Sequence, residues 1–538
     1  MKIALLSVYN KKGIVEFARE LVGLGWTIWS SGGTENILRA DNIPVVDVAT
    51  IVGEPILGHR VVTLSRELHA ALLSRDTDED HAELKRIGVE RIDLVCCDLY
   101  PLQAEIARVG STVQSVIEQT DIGGPTMIRS AAKGGRIVIA DAGDRGRVIQ
   151  WLKDGEQDSE NFKRALTAKA EKIIAEYCLA SAEFHSDKKI TGLIGTEVLP
   201  NKYGENAWQT PAALFSSHTA DPLALDKFIV VDGDAPSYNN ILDMHRLLQT
   251  VTHIAAGWHA SSGRVPLIAV GGKHGNACGA AVGDYPEQVI GKMIMGDSIA
   301  IFGGFVMVNF AVDEKVARAL RHHGMTEKND KGDVKKRLLD GVIAPSFTPE
   351  AIEELGRKGG KCRMIANPAL DSLTSDSLDR APMIRPVRGG FLAQPNYTHI
   401  LKLDAPEIDI VGAISPEQKN DLILAWAIGC TSNSNTISIV KNGQLLANAV
   451  GQQDRVMSAW LAGQRARRSG HDLTGAVAYS DSFFPFTDAP AVLIDAGIRV
   501  IFASSGSVGD ESVKKLCADR DVTLVMYPDK LGRGFFGH

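Results

Sequence analysis

The sequence predicts an α/β protein of several domains, and three features carry that reading. Short apolar runs at 2–7, 26–29 and 92–97 alternate with amphipathic stretches such as 13–24, the pattern of a parallel sheet with helices on both faces. At 538 residues the chain is longer than one hydrophobic core organises, so two to four domains are expected. Hydrophobic residues make up 44% and charged residues 23%, the balance of soluble globular domains.

Net charge narrows the ligand classes. At −7 the chain has no global basic footprint for nucleic acid, so an anionic ligand has to be met by local Lys and Arg. Residues 2–7 form an apolar run too short to span a membrane and end at Asn10-Lys11-Lys12 without a cleavage-type signal, which reads as a first strand. The seven cysteines are scattered, with no C-x-x-C. That pattern fits free thiols in a reducing cytoplasm better than a disulfide framework or a structural zinc.

In order along the chain, strands are expected at 2–7, 26–29, 45–48, 92–97 and 136–140, with helices over 13–24, 35–40 and 127–133. Ser111-Thr112-Val113-Gln114 reads as a capping box opening a helix to about Gln119, and Pro125 is placed at the first position of the next helix. Two small-residue turns, Ser30-Ser31-Gly32-Gly33-Thr34 and Gly123-Gly124-Pro125-Thr126, each precede a helix. Free amides and the positive end of a helix dipole suit phosphate there, and Lys11 follows the first strand; neither turn is a Walker A loop. One long helix is expected over 162–184, then a linker at 188–192. A second α/β region begins near 200, and Asp232–Asp243 combines a turn with a helix cap. Met293 and Met295 are expected as core fillers, and 327–337 as a solvated charged face. A third α/β segment begins near 386, and no short-period repeat is visible.

The stretch Val270-Gly271-Gly272-Lys273-His274-Gly275 stands out chemically. A buried strand over 266–270 would feed a Gly-rich turn bringing backbone amides, an ammonium and an imidazole to a ligand. A cation beside the imidazole disfavours its protonation, which suits a base near neutral pH; a strand-end turn facing water is the plainer alternative.

Taken in order, SVYNKKGIVEFA (7–18), SSGGT (30–34), DLYP (98–101), DIGGPTMIRSAAK (121–133), YGEN (203–206), YNNILD (238–243), the Lys273-His274 pair, FGG (302–304), SNT (434–436), GQQDR (451–455), SDSFFPF (480–486) and His538 form one ordered set. The chain resembles, over essentially its whole length, the bifunctional purine biosynthesis family, which joins 5-aminoimidazole-4-carboxamide ribonucleotide formyltransferase to inosine monophosphate cyclohydrolase. The resemblance implies a methylglyoxal-synthase-like cyclohydrolase domain (1–195). Two cytidine-deaminase-like α/β units, the formyltransferase subdomains, would follow (196–380 and 381–538). It also implies a cytoplasmic homodimer acting on small nucleotide and folate substrates, with 10-formyltetrahydrofolate as formyl donor and no metal required, and without nucleic-acid or membrane partners. No ATP-binding motif points to formate and ATP instead.

For formyl transfer the resemblance implies His274 as proton acceptor, Lys273 as the charge beside it and Asn435 as polar stabiliser. Lys202, Tyr203, Asn240, Gly304, Asp340, Gln452, Phe484 and His538 would contact substrate. For ring closure it implies Tyr100, Asp121 and Lys133, with Lys11, Ser30, Ser31, Gly32, Thr34, Arg60 and Thr63 holding the nucleotide. The chain departs from the family at several of these places. Where the family has R-V-K-T-L-H-P, residues 60–66 read Arg-Val-Val-Thr-Leu-Ser-Arg, so Val62 replaces a functional Lys. Lys202 stands for an Arg, exchanging a bidentate fork for a point charge. Ala207-Trp208 replaces Pro-His, Ala300 replaces a Ser, and Arg533 is displaced by one position. A formyltransferase with ring closure weakened or lost, and a nucleotide-binding protein with neither activity, are the alternatives these departures raise.

Overall fold

The computed structural model describes residues 2–58, 60–328 and 334–537, and it divides into two compact units, Met1–Gly195 and Thr196–His538.

The first unit is a five-stranded sheet in the order β3-β2-β1-β4-β5, formed by β1 (Lys2–Ser7), β2 (Trp26–Ser30), β3 (Val45–Asp47), β4 (Leu94–Cys97) and β5 (Ile137–Ile139). Every pairing is parallel, which demands crossover helices and buries both faces. One apolar layer joins Phe17 and Leu21 of α1 (Ile14–Gly23) to Leu6, Ile28 and Ile139; the other joins Met127 and Ile128 to Leu5, Trp29 and Val138. The chain runs outward from β1 through β2 to β3, then returns to place β4 on the other side of β1. This reversal opens a crevice at the carboxyl ends of β1 and β4, where open α/β sheets bind ligands. Around it lie α2 (Gly32–Ala40), α3 (Val113–Glu118) and α4 (Gly123–Lys133). The long helix α5 (Ser159–His185) closes the unit.

Two local expectations shift. The capping box opening α3 is made by Thr112 and Ser115 rather than Ser111 and Gln114. Pro125 is the third residue of α4, which starts at Gly123; Asp121 accepts the Gly124 N–H at 2.8 Å and so organises the first turn from outside it.

In the second unit one sheet holds twelve strands, in the order β16-β21-β20-β19-β17-β18-β10-β9-β11-β12-β13-β8. Its first half comprises β8 (Ile229–Asp232), β9 (Leu267–Lys273), β10 (Asn276–Gly283), β11 (Phe305–Val308), β12 (Gly341–Ala344) and β13 (Arg363–Ala366). Its second half comprises β16 (Asp409–Val411), β17 (Ile437–Lys441), β18 (Gln444–Ala449), β19 (Val477–Ser480), β20 (Val500–Ser505) and β21 (Thr523–Pro528). Two small hairpins stand apart, β6 (Thr196–Asn201) with β7 (Ala212–Ser216) and β14 (Met383–Val387) with β15 (Gly390–Gln394). The halves meet where β10 pairs antiparallel with β18 at Ala281 and Gln444. The expected boundary at 380/381 thus lies between the halves of one continuous sheet.

Each half follows one plan: strand, helix, hairpin, then three helix–strand pairs. The helices are α6 (Tyr238–Ser262), α7 (Pro286–Gly296), α8 (Glu314–His322) and α9 (Pro349–Leu355) in the first. In the second they are α10 (Pro416–Gly429), α11 (Arg455–Arg468), α12 (Asp488–Asp495) and α13 (Asp510–Asp519). The long helices α6 and α10 pack in one shared core, with Leu247, Val251 and Ile254 beside Leu422 and Trp426. A side chain at Gly257 would come within 2.7 Å of Ile423, so glycine permits that approach.

Three more expectations change here. Gly271 and Gly272 lie inside β9 rather than in a turn, and the turn itself is only His274-Gly275. Met293 is buried as expected, but Met295 is 37% exposed. Residues 329–333 fall outside the described residues, and Arg337, expected on a solvated face, is 1% exposed and donates to the carbonyls of Leu320 (3.0 Å) and His323 (2.8 Å). All seven cysteines are free. No helix among the described residues is long and apolar enough to cross a membrane.

Candidate active site

The crevice of the first unit is a cleft of about 820 Å³. It is lined by Lys11 and Tyr9 after β1, by Ser31, Gly32 and Thr34 at the start of α2, by Arg60, Val62 and Thr63, by Asp98 and Tyr100 after β4, and by Asp121 to Gly124. Eight of the residues expected to serve ring closure therefore meet in one place: Lys11, Ser31, Gly32, Thr34, Arg60, Thr63, Tyr100 and Asp121. Two do not line it. Ser30 is the fully buried last residue of β2, and its hydroxyl donates to the Leu6 carbonyl at 2.7 Å. Lys133 is exposed at the far end of α4, about 15 Å along the axis from the turn that faces the cleft.

Local contacts make the floor of the cleft an anion cradle. The Lys11 ammonium is held by the Val8 carbonyl and, at 3.1 Å, by the Thr34 hydroxyl. Burial lowers its pKa, with Asp98 opposing, so a bound anion would restore the charge that desolvation penalises. Gly33 comes so near that an added Cβ would lie 3.7 Å from Lys11 Cε. At the other wall burial raises the pKa of Asp121, against the hydrogen bond from Gly124. Tyr177 of α5 fixes that segment, since its hydroxyl accepts the Asp121 N–H at 2.6 Å and donates to the Gln119 carbonyl at 3.2 Å. Burial, followed by the charge of Asp121, raises the pKa of Tyr100. Tyr100 and Tyr9 form an edge-to-face pair with centroids 5.6 Å apart at the mouth. A buried carboxylate beside a phenol, opposite a cation at a helix start, can move protons on a phosphorylated ligand. Val62 lies among them and can neither donate nor carry charge.

The second site forms around the turn between β9 and β10. His274 and Gly275 both take left-handed angles, φ 50° and 70°, which places an exposed imidazole at the tip. Lys273 ends β9, and its ammonium is held by the Phe302 carbonyl. Gly304 follows at close range: an added Cβ would lie 2.7 Å from the Gly272 oxygen and 3.3 Å from Lys273 Cγ. Asp340 joins this group through its N–H to the Gly304 carbonyl at 3.0 Å.

The second half of the sheet contributes the opposite wall. Asn433 donates its N–H to the Asn276 side chain at 3.2 Å, which brings the 433–436 segment beside the Lys273-His274 turn. Asn435 donates through Nδ2 to the Gln452 carbonyl (2.9 Å), and its Oδ1 accepts from Arg455 (2.6 Å). One Nδ2 hydrogen remains for a ligand. Gln452 thus acts through its backbone, while its side-chain amide donates to Val450. The tail crosses the same segment, with Phe536 N–H on Ser432 O, Ser434 N–H on Gly537 O, and the Arg246 guanidinium 4.0 Å from the Phe536 ring centroid.

The other expected contacts are distributed more widely. Lys202 and Tyr203 are exposed after β6, tied to the start of α6 by Asn201 on the Pro236 carbonyl (3.2 Å) and Asn239 on the Glu205 carbonyl (3.3 Å). Asn240 is engaged in the N-terminal cap of α6, its Oδ1 accepting the Ser237 N–H at 3.0 Å. Phe484 is 1% exposed in the core of the second half and is not brought to the turn. His538 lies outside the described residues. Sequence reasoning missed Asp243, Arg246, Arg455 and Asp481; Asp243, Arg455 and Asp481 sit inside quoted motifs, and their polarity within those runs was the available signal.

A family model described as "AICARFT/IMPCHase bienzyme" matches residues 131–465, and one for the "MGS-like domain" matches 13–126. The chain is 35% identical over 534 residues to the bifunctional purine biosynthesis protein PurH of Anoxybacillus flavithermus, covering 95% of this chain and 96% of that one. It is 33% identical to the protein of the same name from Prochlorococcus marinus, over 97% of this chain and 98% of that one. Among solved structures, one titled "Crystal structure of ForH" is 31% identical, covers 35% of this chain and 100% of its own, and has a TM-score of 0.32.

Proposed function

The chain belongs to the AICARFT/IMPCHase bienzyme family, whose members catalyse the last two steps of inosine monophosphate biosynthesis, and we propose how its two sites divide that work. Formyl transfer from 10-formyltetrahydrofolate to 5-aminoimidazole-4-carboxamide ribonucleotide belongs to the Lys273-His274 turn. His274 takes a proton as the ring amine attacks the formyl carbon, and Lys273 with the free Asn435 N–H steadies the tetrahedral oxyanion. Collapse returns the electron pair to the folate nitrogen, which leaves protonated as tetrahydrofolate. Ring closure belongs to the cleft of the first unit: Lys11, Thr34 and the start of α2 hold phosphate, while Asp121 and Tyr100 shuttle protons. The carboxamide nitrogen attacks the formyl carbon there, and water leaves.

The observation that carries this reading is the Asn433–Asn276 hydrogen bond, which ties the segment bearing the oriented Asn435 amide to the hairpin bearing Lys273 and His274. We further propose a cytoplasmic homodimer. The exposed edge strand β8 supports it, with Ile229 67%, Val230 37% and Val231 43% exposed, an apolar edge of the kind a second chain covers. A two-stage assay tests the assignment. Supplied with both substrates, the protein is expected to form inosine monophosphate; supplied with the formylated intermediate alone, it is expected to close the ring. His274→Ala should reduce the first stage to a small residual rate and spare the second. Full formyl transfer by that variant would overturn the placement of the base.

A further inference from the structure

The two halves of the twelve-stranded sheet share more than their order of elements. Ser237 caps α6 in a capping box with Asn240, and Ser415 caps α10 in a capping box with Gln418. In both helices an aspartate follows at the same spacing, Asp243 in one and Asp421 in the other. Each aspartate holds the turn of its own half's hairpin, Lys273-His274-Gly275 in the first and Lys441-Asn442-Gly443 in the second. The turns match in backbone too, with φ of 50° and 70° at His274 and Gly275 and 54° and 69° at Asn442 and Gly443. Paired left-handed residues of this kind favour Asn-Gly. The second half carries the preferred Asn-Gly pair, and the first has His in place of the Asn, another residue type that takes left-handed angles.

Against that shared frame, three differences set the first turn apart. Asp421 commits both carboxylate oxygens to the turn, Oδ2 to the Asn442 N–H at 2.8 Å and Oδ1 to the Gly443 N–H at 2.7 Å. Asp243 accepts one, the Gly275 N–H at 2.7 Å through Oδ1, and its Oδ2 has no hydrogen-bond partner among the described residues. Lys441 is neutralised by Asp472 at 3.2 Å, whereas Lys273 meets a carbonyl and no carboxylate among the described residues. Burial penalises the Asp243 carboxylate, and the Gly275 hydrogen bond and the charge of His274 oppose that penalty. The first turn is therefore a hairpin whose aspartate, bonded to the amide that follows His274, keeps one carboxylate oxygen unused.

We propose that Asp243 is a positioning residue for the base, its spare carboxylate oxygen stabilising the imidazolium that His274 becomes when it takes the amine proton. The proposal rests on His274 being that base. It assigns Asp421 a structural role only, as the same device holding a turn with nothing to protonate. The logic is that of a carboxylate orienting a catalytic histidine and stabilising its charged form, here reached through the turn amide next to the histidine.

Asp243→Asn tests this, because an amide oxygen can still accept the Gly275 N–H while the charge is removed. The expected result is a formyl-transfer kcat lower by about 10- to 100-fold with KM for both substrates within twofold, and no loss of ring closure on the formylated intermediate. Combined with His274→Ala, Asp243→Asn should cost nothing further, since it acts through the histidine. Asp421→Asn should leave formyl transfer unchanged. Asp243→Glu, which keeps the charge, and Asp243→Ser, which keeps an acceptor without it, repeat the comparison independently of how the Asn variant folds; Glu is expected to exceed Ser in kcat. Wild-type kcat in Asp243→Asn, equal rates for Glu and Ser, or a loss that multiplies fully with His274→Ala would overturn the proposal. Full formyl transfer by His274→Ala alone would instead remove the base assignment on which it rests.

Discussion

Arg455 donates through Nη2 to the Oδ1 of Asn435 at 2.6 Å while its Nη1 pairs with Asp481 at 2.5 Å. The Asp481 side chain is fully buried and that of Arg455 is 13% exposed, so the pair is desolvated and removing one partner strands the other. The guanidinium fixes which way the Asn435 amide points, and with it the direction of the remaining N–H. Arg455→Lys keeps the charge but loses the planar fork. We expect it to lower formyl-transfer kcat by about 10- to 100-fold. Arg455→Met should in addition destabilise the fold by about 3 kcal/mol, measured by denaturant unfolding. A Lys variant with unchanged kcat would show that Asn435 needs no such partner.

Val62 shares a cleft with Asp98, Asp121 and Tyr100. Two carboxylates and a phenol line that cleft, and position 62 itself contributes no cation to it. Val62→Lys is expected to speed ring closure of the formylated intermediate by about tenfold or more, with formyl transfer unchanged. The measurement is the rate of inosine monophosphate formation from that intermediate. A slower rate would mean the cleft has reorganised around the valine.

Asp121 should trade stability for activity. Burial raises its folded-state pKa, so its contribution to stability is present in acid and lost as pH rises through that raised value. At neutral pH the ionised carboxylate is therefore a liability. Asp121→Asn is expected to raise Tm at pH 7 while abolishing ring closure, and the gain in Tm should vanish below about pH 4. A lower Tm at pH 7 would mean that the Gly124 hydrogen bond outweighs desolvation.

His253 sets a limit on acid tolerance. It is 1% exposed, its Nδ1 bonds the Gln249 carbonyl at 2.7 Å, and burial lowers its pKa to about 4. A depressed folded-state pKa means stability that is present above the unfolded value and is lost as pH falls toward the folded one. Between about pH 6.5 and 4 this single group should remove up to about 3 kcal/mol. His253→Gln, unable to protonate, should flatten that part of the stability profile in denaturant titrations at stepped pH. An unchanged slope would assign the acid sensitivity elsewhere.

Much of the first unit was legible because its signals are local. Alternating strand and helix periodicity located β1, β2 and β4, and the two small-residue turns marked two walls of the cleft, one the anion cradle and the other the wall of Asp121. What escaped was set by tertiary contacts. Gly271 and Gly272 look like a turn, yet Ile301 and Leu247 press so closely that a Cβ would lie 2.0 and 2.9 Å from them; the glycines thin a strand rather than bend it. Arg337 reads as surface charge, but nearby carbonyls satisfy it in the interior. Asp243 reads as an ordinary helical acid until the hairpin folds back onto its helix. The internal repeat was implied by the family resemblance and not by the residues themselves, because its halves share few of them: a capping serine, the aspartate after it, and Lys-x-Gly at the turn. The first half is also stretched between β11 and β12, from Val308 to Gly341, against Ser480 to Val500 for the matching strands β19 and β20.

The seam between β10 and β18 has a consequence for synthesis. Ala281 is translated some 160 residues before its partner Gln444. At roughly 5–20 residues per second, the nascent chain carries β10 as an uncapped edge for about 8–30 s. That edge is apolar: Ala277, Ala280, Ala281 and Val282 are all buried in the finished protein. An unpaired apolar edge is a template for the wrong strand, including the same strand of a neighbouring nascent chain. Slowing translation between 283 and 444 should therefore lower the soluble yield of this protein more than slowing it after 449. The formyl-transfer site, drawn from both sides of the seam, becomes complete only when that edge is closed.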